Sequence, residues 1–475
     1  MENKKTKLYI NTMIIFFSKF CTQFLLLLLL PIITSKLTTS EYGTFDLITS
    51  YAWLIVPFMT MRIENGIFRY LIDARDNKYQ SKQIISNGII AIIVQIIVFS
   101  VIYFLIVQIF NINYSIYIFL YAFSIIILNI IHQIVRGFGD NVSYAFSSII
   151  TGMSNVVLSF ITIYYLRIGL LGLIISGIVS NLFGTLYIII KKKIFRYISI
   201  RNMNKNNYKE IVKYSVPLVP NDVSSWLINV SDRIMLSSFI GTAANGIYSV
   251  ANKFPTLLTN IYNVFNLSWV ESASENSKDI DRDDFFSQTI DSIFRICSSF
   301  CLIIMSAMNI IFKFMIDNSY EEAYNYIPLL IVASLFQCFS GIIASCYISL
   351  KKSKDIAIST FVVGCINIFI NLVFIRKFGI YAACLSTLIA YLLLSLYRGI
   401  NIRKFIKIKY NYKTFIIIVL SFMINYYLYF KNKTVFCIIN IIIAMLISFL
   451  LNKSIIFEGI NRLKYLKATR KEKYE

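Results

Sequence analysis

The residues best suited to chemistry are charged side chains inside apolar stretches. The segment from Tyr214 to Glu271 is apolar enough for two membrane helices, yet it carries Asp222, Asp232, Arg233 and Lys253. A charge at the centre of a membrane helix costs about 2.5–3.5 kcal/mol on insertion scales, so such residues turn towards a bundle interior or a wet cavity. Lys19 lies well inside the first apolar run, Arg62 and Glu64 inside the second, and Arg295 inside a later one. One such residue alone is adequately explained as a snorkelling side chain or a structural pair. The set Lys19, Arg62, Glu64, Asp222, Asp232, Arg233, Lys253 and Arg295 points instead to a polar substrate cavity in the membrane. Its basic members outnumber its acidic ones, which suits an anionic substrate, and arginine suits a diphosphate because its fork binds two oxygens at once. The acidic members are suited to H+ or Na+ as a coupling ion. Within the second run Arg62 and Asn65 are expected to be neighbours one helical turn apart.

The chain that must position these residues is a membrane protein. Of its 475 residues 57% are hydrophobic and 15% charged, with long apolar runs from end to end. Continuous runs of helix-spanning length imply helices rather than a barrel. The first run is too long for the apolar core of a signal peptide, and no small-residue cleavage site follows it. All eight cysteines fall in apolar runs and read as small buried hydrophobes. His132 reads as a packed or interfacial side chain rather than a proton relay. No nucleophile–base pair, paired carboxylates, phosphate loop or zinc spacing is present, so the chain reads as a non-enzyme without cofactor or metal.

Fourteen spans are expected, at about 9–33, 44–68, 84–109, 115–135, 144–166, 170–190, 212–239, 246–269, 288–313, 326–350, 356–375, 380–400, 413–430 and 434–452. About 34 basic residues then fall on one side and about 7 on the other. This positive-inside pattern predicts a multi-pass protein of the cytoplasmic membrane with both termini cytoplasmic. It also explains the net charge of +22 without nucleic acid. The acidic segment Glu271–Asp291 reads as a solvated surface loop, with docking of a partner enzyme as the alternative. Pro57, Pro217, Pro220 and Pro255 each fall inside an expected span and predict bends or hinges there.

Matched pieces recur along the chain. Glu41-Tyr-Gly-Thr-Phe-Asp46 and Ala244-Asn-Gly-Ile-Tyr-Ser249 open the second and eighth spans at an offset of 203. Arg167-Ile-Gly-Leu-Leu-Gly172 pairs with Lys377-Phe-Gly-Ile-Tyr-Ala382 at an offset of 210, and Gly152 with Asn155 matches Gly364 with Asn367. They predict an all-α protein of two parallel six-helix lobes, 1–200 and 201–410, followed by two extra helices and a basic tail over 411–475. Lys19 and Asp222 would then occupy equivalent places in the two lobes.

The stretch Pro217-Leu-Val-Pro-Asn221, the pair Asp232-Arg233 and the segment Ala244-Asn-Gly-Ile-Tyr-Ser-Val-Ala-Asn-Lys253 together resemble the Wzx-type polysaccharide flippases. So do Glu41-Tyr-Gly-Thr-Phe, Arg62-Ile-Glu64 and Phe68-Arg-Tyr70. That family shares a superfamily with the multidrug (MATE) exporters and the lipid II flippases. The resemblance implies two six-helix bundles in a MATE-like V that alternate access to the two sides. It also implies the cargo, an undecaprenyl-diphosphate-linked oligosaccharide carried to the outer leaflet for O-antigen, capsule or a similar lipopolysaccharide or surface glycan. The bilayer would hold the lipid tail, against the extra helices, and a polysaccharide polymerase and glycosyltransferases would be partners. The alternatives are a cation-coupled drug exporter and a non-transporting scaffold for glycan-assembly enzymes.

Overall fold

A computed structural model describes residues 2–198, 204–431 and 434–471. The described residues form seventeen α-helices and no strand. A bilayer leaves few other choices, because a helix satisfies its backbone polar groups within one segment. The first ten are α1 (Glu2–Leu28), α2 (Leu30–Lys36), α3 (Thr39–Thr60), α4 (Ile63–Asp73), α5 (Lys78–Phe110), α6 (Ser115–Gly137), α7 (Asn141–Ser159), α8 (Leu170–Lys192), α9 (Lys205–Ser215) and α10 (Leu218–Phe239). The rest are α11 (Thr242–Glu275), α12 (Arg282–Met315), α13 (Ala323–Ser349), α14 (Ser353–Phe378), α15 (Ile380–Asn401), α16 (Tyr412–Tyr429) and α17 (Thr434–Lys471).

Among the described residues eleven helices are long and apolar enough to cross a membrane, or twelve if α3 and α4 count as one broken span. The expected fourteen are not reached by this measure. The two that fall short are α10 and α11, helices of 22 and 34 residues. They hold Asp222, Asp232, Arg233 and Lys253, the charges that lower their apolarity.

Local chemistry sets the helix ends. Glu41 forms a capping box with Thr38, taking the Thr38 amide at 2.9 Å while its own amide donates to the Thr38 hydroxyl at 3.2 Å. Asn77, Asp140, Asn204 and Asn411 cap α5, α7, α9 and α16. Gly169 and Gly379, from the matched turns, both take positive φ, at 63° and 56°, just before α8 and α15. Two breaks differ from expectation. Span two bends by 58° between α3 and α4 rather than at Pro57, which stays inside α3. Pro217 and Pro220 mark a junction, not an interior hinge: α9 ends at Ser215 and α10 begins at Leu218. Pro255 lies inside an uninterrupted α11.

The chain divides into two compact units. The first comprises Met1–Val250 with Asp317–Tyr320 and Asn371–Ile380, and its core is built from α3 to α6 and α8, with Ile67, Leu71, Ile85, Ile126 and Ile134 fully buried. The second comprises Ala251–Ile316, Glu321–Ile370 and Tyr381–Glu475. In it α12 is central, packed by α13, α16 and α17. Apolar side chains such as Ile97, Val101 and Leu105 of α5 stay exposed, as a lipid-facing surface requires.

Candidate functional site

The break between α3 and α4 builds the first cluster. Met61 and Arg62 take left-handed backbone angles, with φ of 48° and 55°. Such a conformation costs a non-glycine residue about 1–3 kcal/mol and persists only where its surroundings hold it. The Thr60 hydroxyl accepts the Arg62 amide at 3.1 Å. The turn aims the Arg62 side chain at Asp222 of α10, with which it forms an ion pair through Nε, while Nη1 meets Glu64 Oε1 at 3.3 Å. The expected Arg62–Asn65 neighbourhood is formed at the backbone, where the Asn65 amide donates to the carbonyl of Arg62, the N-cap of α4, at 2.9 Å, but the two side chains take different partners. Asn65 instead accepts a hydrogen bond from Gln133 of α6 at 2.8 Å. Glu64 is 1% exposed, and its second oxygen is buried without a hydrogen bond. Arg62 and Asp222 keep 22% and 24% of their side chains accessible. One guanidinium thus faces two carboxylates, with solvent reaching the pair.

A second cluster forms where α3 crosses the start of α11. The crossing is so close that a Cβ on Gly43 would lie 1.9 Å from the Thr242 carbonyl oxygen, and one on Gly246 1.9 Å from that of Thr39. The approach is reciprocal at the offset of 203, which relates Thr39 to Thr242 and Gly43 to Gly246. The repeated glycines are therefore there to let two backbones touch. Asn245 donates to the Gly43 carbonyl at 2.9 Å, and the Ser40 and Thr242 hydroxyls bond at 2.6 Å. Asp46 gathers Ser249 at 2.9 Å, Asn245 at 3.3 Å and Arg233 Nη1 at 3.2 Å. Trp226 donates from its indole to the Ser50 carbonyl at 2.8 Å, fixing α10 on α3.

Asp232 is buried beside its neighbour Arg233 but faces other partners, Tyr248 at 3.0 Å and Asn371 of α14 at 2.6 Å. Lys19 is exposed on α1. Lys253 and Arg295 belong to the second unit. Arg295 is tied to Asp291 at 3.0 Å and to the Leu451 carbonyl at 2.9 Å, so it staples α12 to α17. Of the eight candidate residues the structure thus joins Arg62, Glu64 and Asp222 in one cluster, and links Arg233 to Asp46. Asn245, Ser249, Tyr248, Trp226 and Asn371 escaped sequence reasoning. The repeat offset pairs Asp46, a charge evident in the second span, with Ser249 and could have flagged the serine; Asn371 had no such signal.

Other expectations find their places. His132 packs edge-on against Tyr144 and bonds the Ser147 hydroxyl at 2.9 Å. The acidic segment meets this chain's own basic loop: Asp284 pairs with Lys409 at 2.8 Å, and Asp283 accepts the Lys407 amide at 3.2 Å. Among the described residues no cluster of His, Cys, Asp and Glu is arranged to hold a metal ion.

A family model described as "Polysaccharide biosynthesis protein" matches residues 8–270, more than half of the chain. An uncharacterized membrane protein of Methanocaldococcus jannaschii, MJ1375, is 29% identical over 252 residues, which span 50% of this chain and 58% of that relative. Among solved structures, the lipid II flippase MurJ in an inward closed conformation matches with a TM-score of 0.70 at 16% identity, covering 95% of this chain and 99% of that one. An inward-facing MATE-family multidrug transporter matches with a TM-score of 0.66 at 14% identity, over 80% and 95% of the two chains.

Proposed function

The chain belongs to the polysaccharide biosynthesis protein family and has the fold of membrane transporters and flippases, and from that premise we propose that it turns a polyprenyl-diphosphate-linked oligosaccharide from the cytoplasmic to the outer leaflet. The product serves a surface polysaccharide, and the movement is alternating access by two six-helix lobes, 1–200 and 201–410. The observation that carries the reading is the accessible Arg62–Asp222 pair beside buried Glu64. An accessible arginine held by carboxylates can be handed to a diphosphate, whose oxygens suit its two-pronged fork. The two carboxylates then carry surplus negative charge, which H+ or Na+ would offset and which would couple the cycle to an ion gradient.

The crossing of α3 and α11 serves as the second part of the device. Glycine-to-glycine packing, reinforced by Asp46, acts as a gate that must part for the cargo to leave.

The test is complementation of a deletion strain with Arg62→Gln, Asp222→Asn and the exchanged pair Arg62→Asp with Asp222→Arg. Arg62→Gln is expected to lower surface glycan at least about tenfold, the scale of one lost charge-assisted bond of about 1.5–3 kcal/mol, while inserting normally. Normal surface glycan from correctly inserted Arg62→Gln would contradict the assignment of the cluster.

A further inference from the structure

The second unit contains two cavities, of about 280 and 500 Å³, that share the walls formed by Phe294, Phe336 and Phe415. Both lie against α16. The deep part is apolar and lined by Val332, Leu335, Leu392, Ile418 and Phe422. The other cavity is also mainly apolar, but Arg403, Lys409, Asn411 and Tyr412 stand in its lining. From Phe415 to Tyr426 α16 advances about 16 Å at its ordinary rise. That is close to half of the roughly 30 Å hydrocarbon core, the depth of one leaflet.

Arg403 gives this cavity a group that can receive an anion. Arg403 stacks on Tyr410 with its guanidinium 4.7 Å from the ring centroid, and one of its nitrogens donates to the Tyr412 hydroxyl at 2.9 Å. A guanidinium has five donors, so most of the fork remains for a ligand. Among the described residues Arg403 forms no ion pair. α16 begins beside it, capped by Asn411, and adds the positive end of its dipole. Lys409 lies beside it but is already paired with Asp284 at 2.8 Å, and Asp291, the acidic residue of the lining, is likewise paired with Arg295, so Arg403 is the cation of this lining without an acidic partner among the described residues.

We propose that this groove holds an anionic glycerophospholipid of the adjoining leaflet, its phosphate between Arg403 and Lys409 and one acyl chain along α16 from Phe415 to Tyr426. The match in depth argues for a bilayer lipid rather than the carrier lipid, since a polyprenyl chain is several times longer than the groove. The surplus charge of Arg403, which has no acidic partner among the described residues, argues for an anionic headgroup over a zwitterionic one. Seated there, the lipid fills the space beside α16 and fastens that helix to α12, α13 and α15. This lipid is not the transported cargo, and the inference does not depend on which cargo is carried.

Photoaffinity labelling of the full-length protein tests it, using phosphatidylglycerol with a diazirine in its acyl chain and mapping the adducts by mass spectrometry. Labels are expected on the stretch 415–426 and on Phe336. Arg403→Gln with Lys409→Gln should reduce them at least about fivefold, as should replacing the probe by its phosphatidylcholine analogue. Ile418→Trp, which blocks the groove without changing charge, should abolish them, so the test stands even if the double variant misfolds. Equal labelling by both lipids, labelling indifferent to Ile418→Trp, or displacement by undecaprenyl phosphate would overturn the proposal. The last outcome would give the groove to the carrier.

Discussion

At the residue scale, charges placed in a membrane protein are held by specific partners, and those partners set what each can do. Asp46 holds Arg233, Asn245 and Ser249 together. Asp46→Asn should lower thermal stability in detergent by about 1.5–3 kcal/mol, the worth of a hydrogen bond to a charged group, and the loss should be smaller in an Arg233→Gln background. Equal losses in both backgrounds would show that the two side chains do not act as a pair. Outside the spans, Asp140 gives a pH signature. Burial pushes its pKa up, but Lys192 and the amide and hydroxyl of Ser143 outweigh this and hold it below the ordinary carboxylate value. Because the folded pKa is depressed, its contribution is full above the ordinary carboxylate range and fades as pH falls through the lower, folded value. Melting temperatures of the wild type and Asp140→Asn should therefore differ most at neutral pH and converge in acid. A gap that stays constant with pH would contradict that linkage. The identity of the charged set could be read from the chain because membranes penalise unpaired charge. Its pairing could not: Arg62 meets Asp222 only because two residues take left-handed angles, which neither Met61 nor Arg62 advertises.

At the element scale, the repeated glycines set how closely two helices approach. Their spacing was visible in the sequence, and the structure supplies the reason, since α3 and α11 touch backbone to backbone. Gly43→Ala or Gly246→Ala places a methyl where a carbonyl oxygen lies, so each should loosen the crossing and reduce surface glycan without abolishing insertion. Ser40→Cys with Thr242→Cys replaces hydroxyls that now bond at 2.6 Å. Oxidation should cross-link this pair and stop transport, and reductant should restore it. Full activity in the cross-linked protein would show that the crossing never opens. Helix existence was legible throughout, because long apolar runs have few alternatives in a bilayer. Helix breaks were less so. Proline suggested bends at Pro57 and Pro217, yet the first break falls at Met61–Arg62 and the second proves to be the junction of α9 with α10.

At the scale of the whole molecule, α10 and α11 depart most from a simple membrane helix, and they carry half of the charged set, Asp222, Asp232, Arg233 and Lys253. That departure is the expected signature of helices that work rather than merely span. The family match places such helices in a polysaccharide biosynthesis protein whose fold is that of MurJ. The function proposed for this protein is to move a lipid-linked oligosaccharide across the membrane. The most direct measurement follows undecaprenyl-linked repeat units in a deletion strain, resolved by leaflet with an impermeant glycan-modifying reagent. Completed units should accumulate on the cytoplasmic leaflet, protected from the reagent, while surface glycan disappears. Completed units reaching the outer leaflet at the wild-type rate would contradict the account.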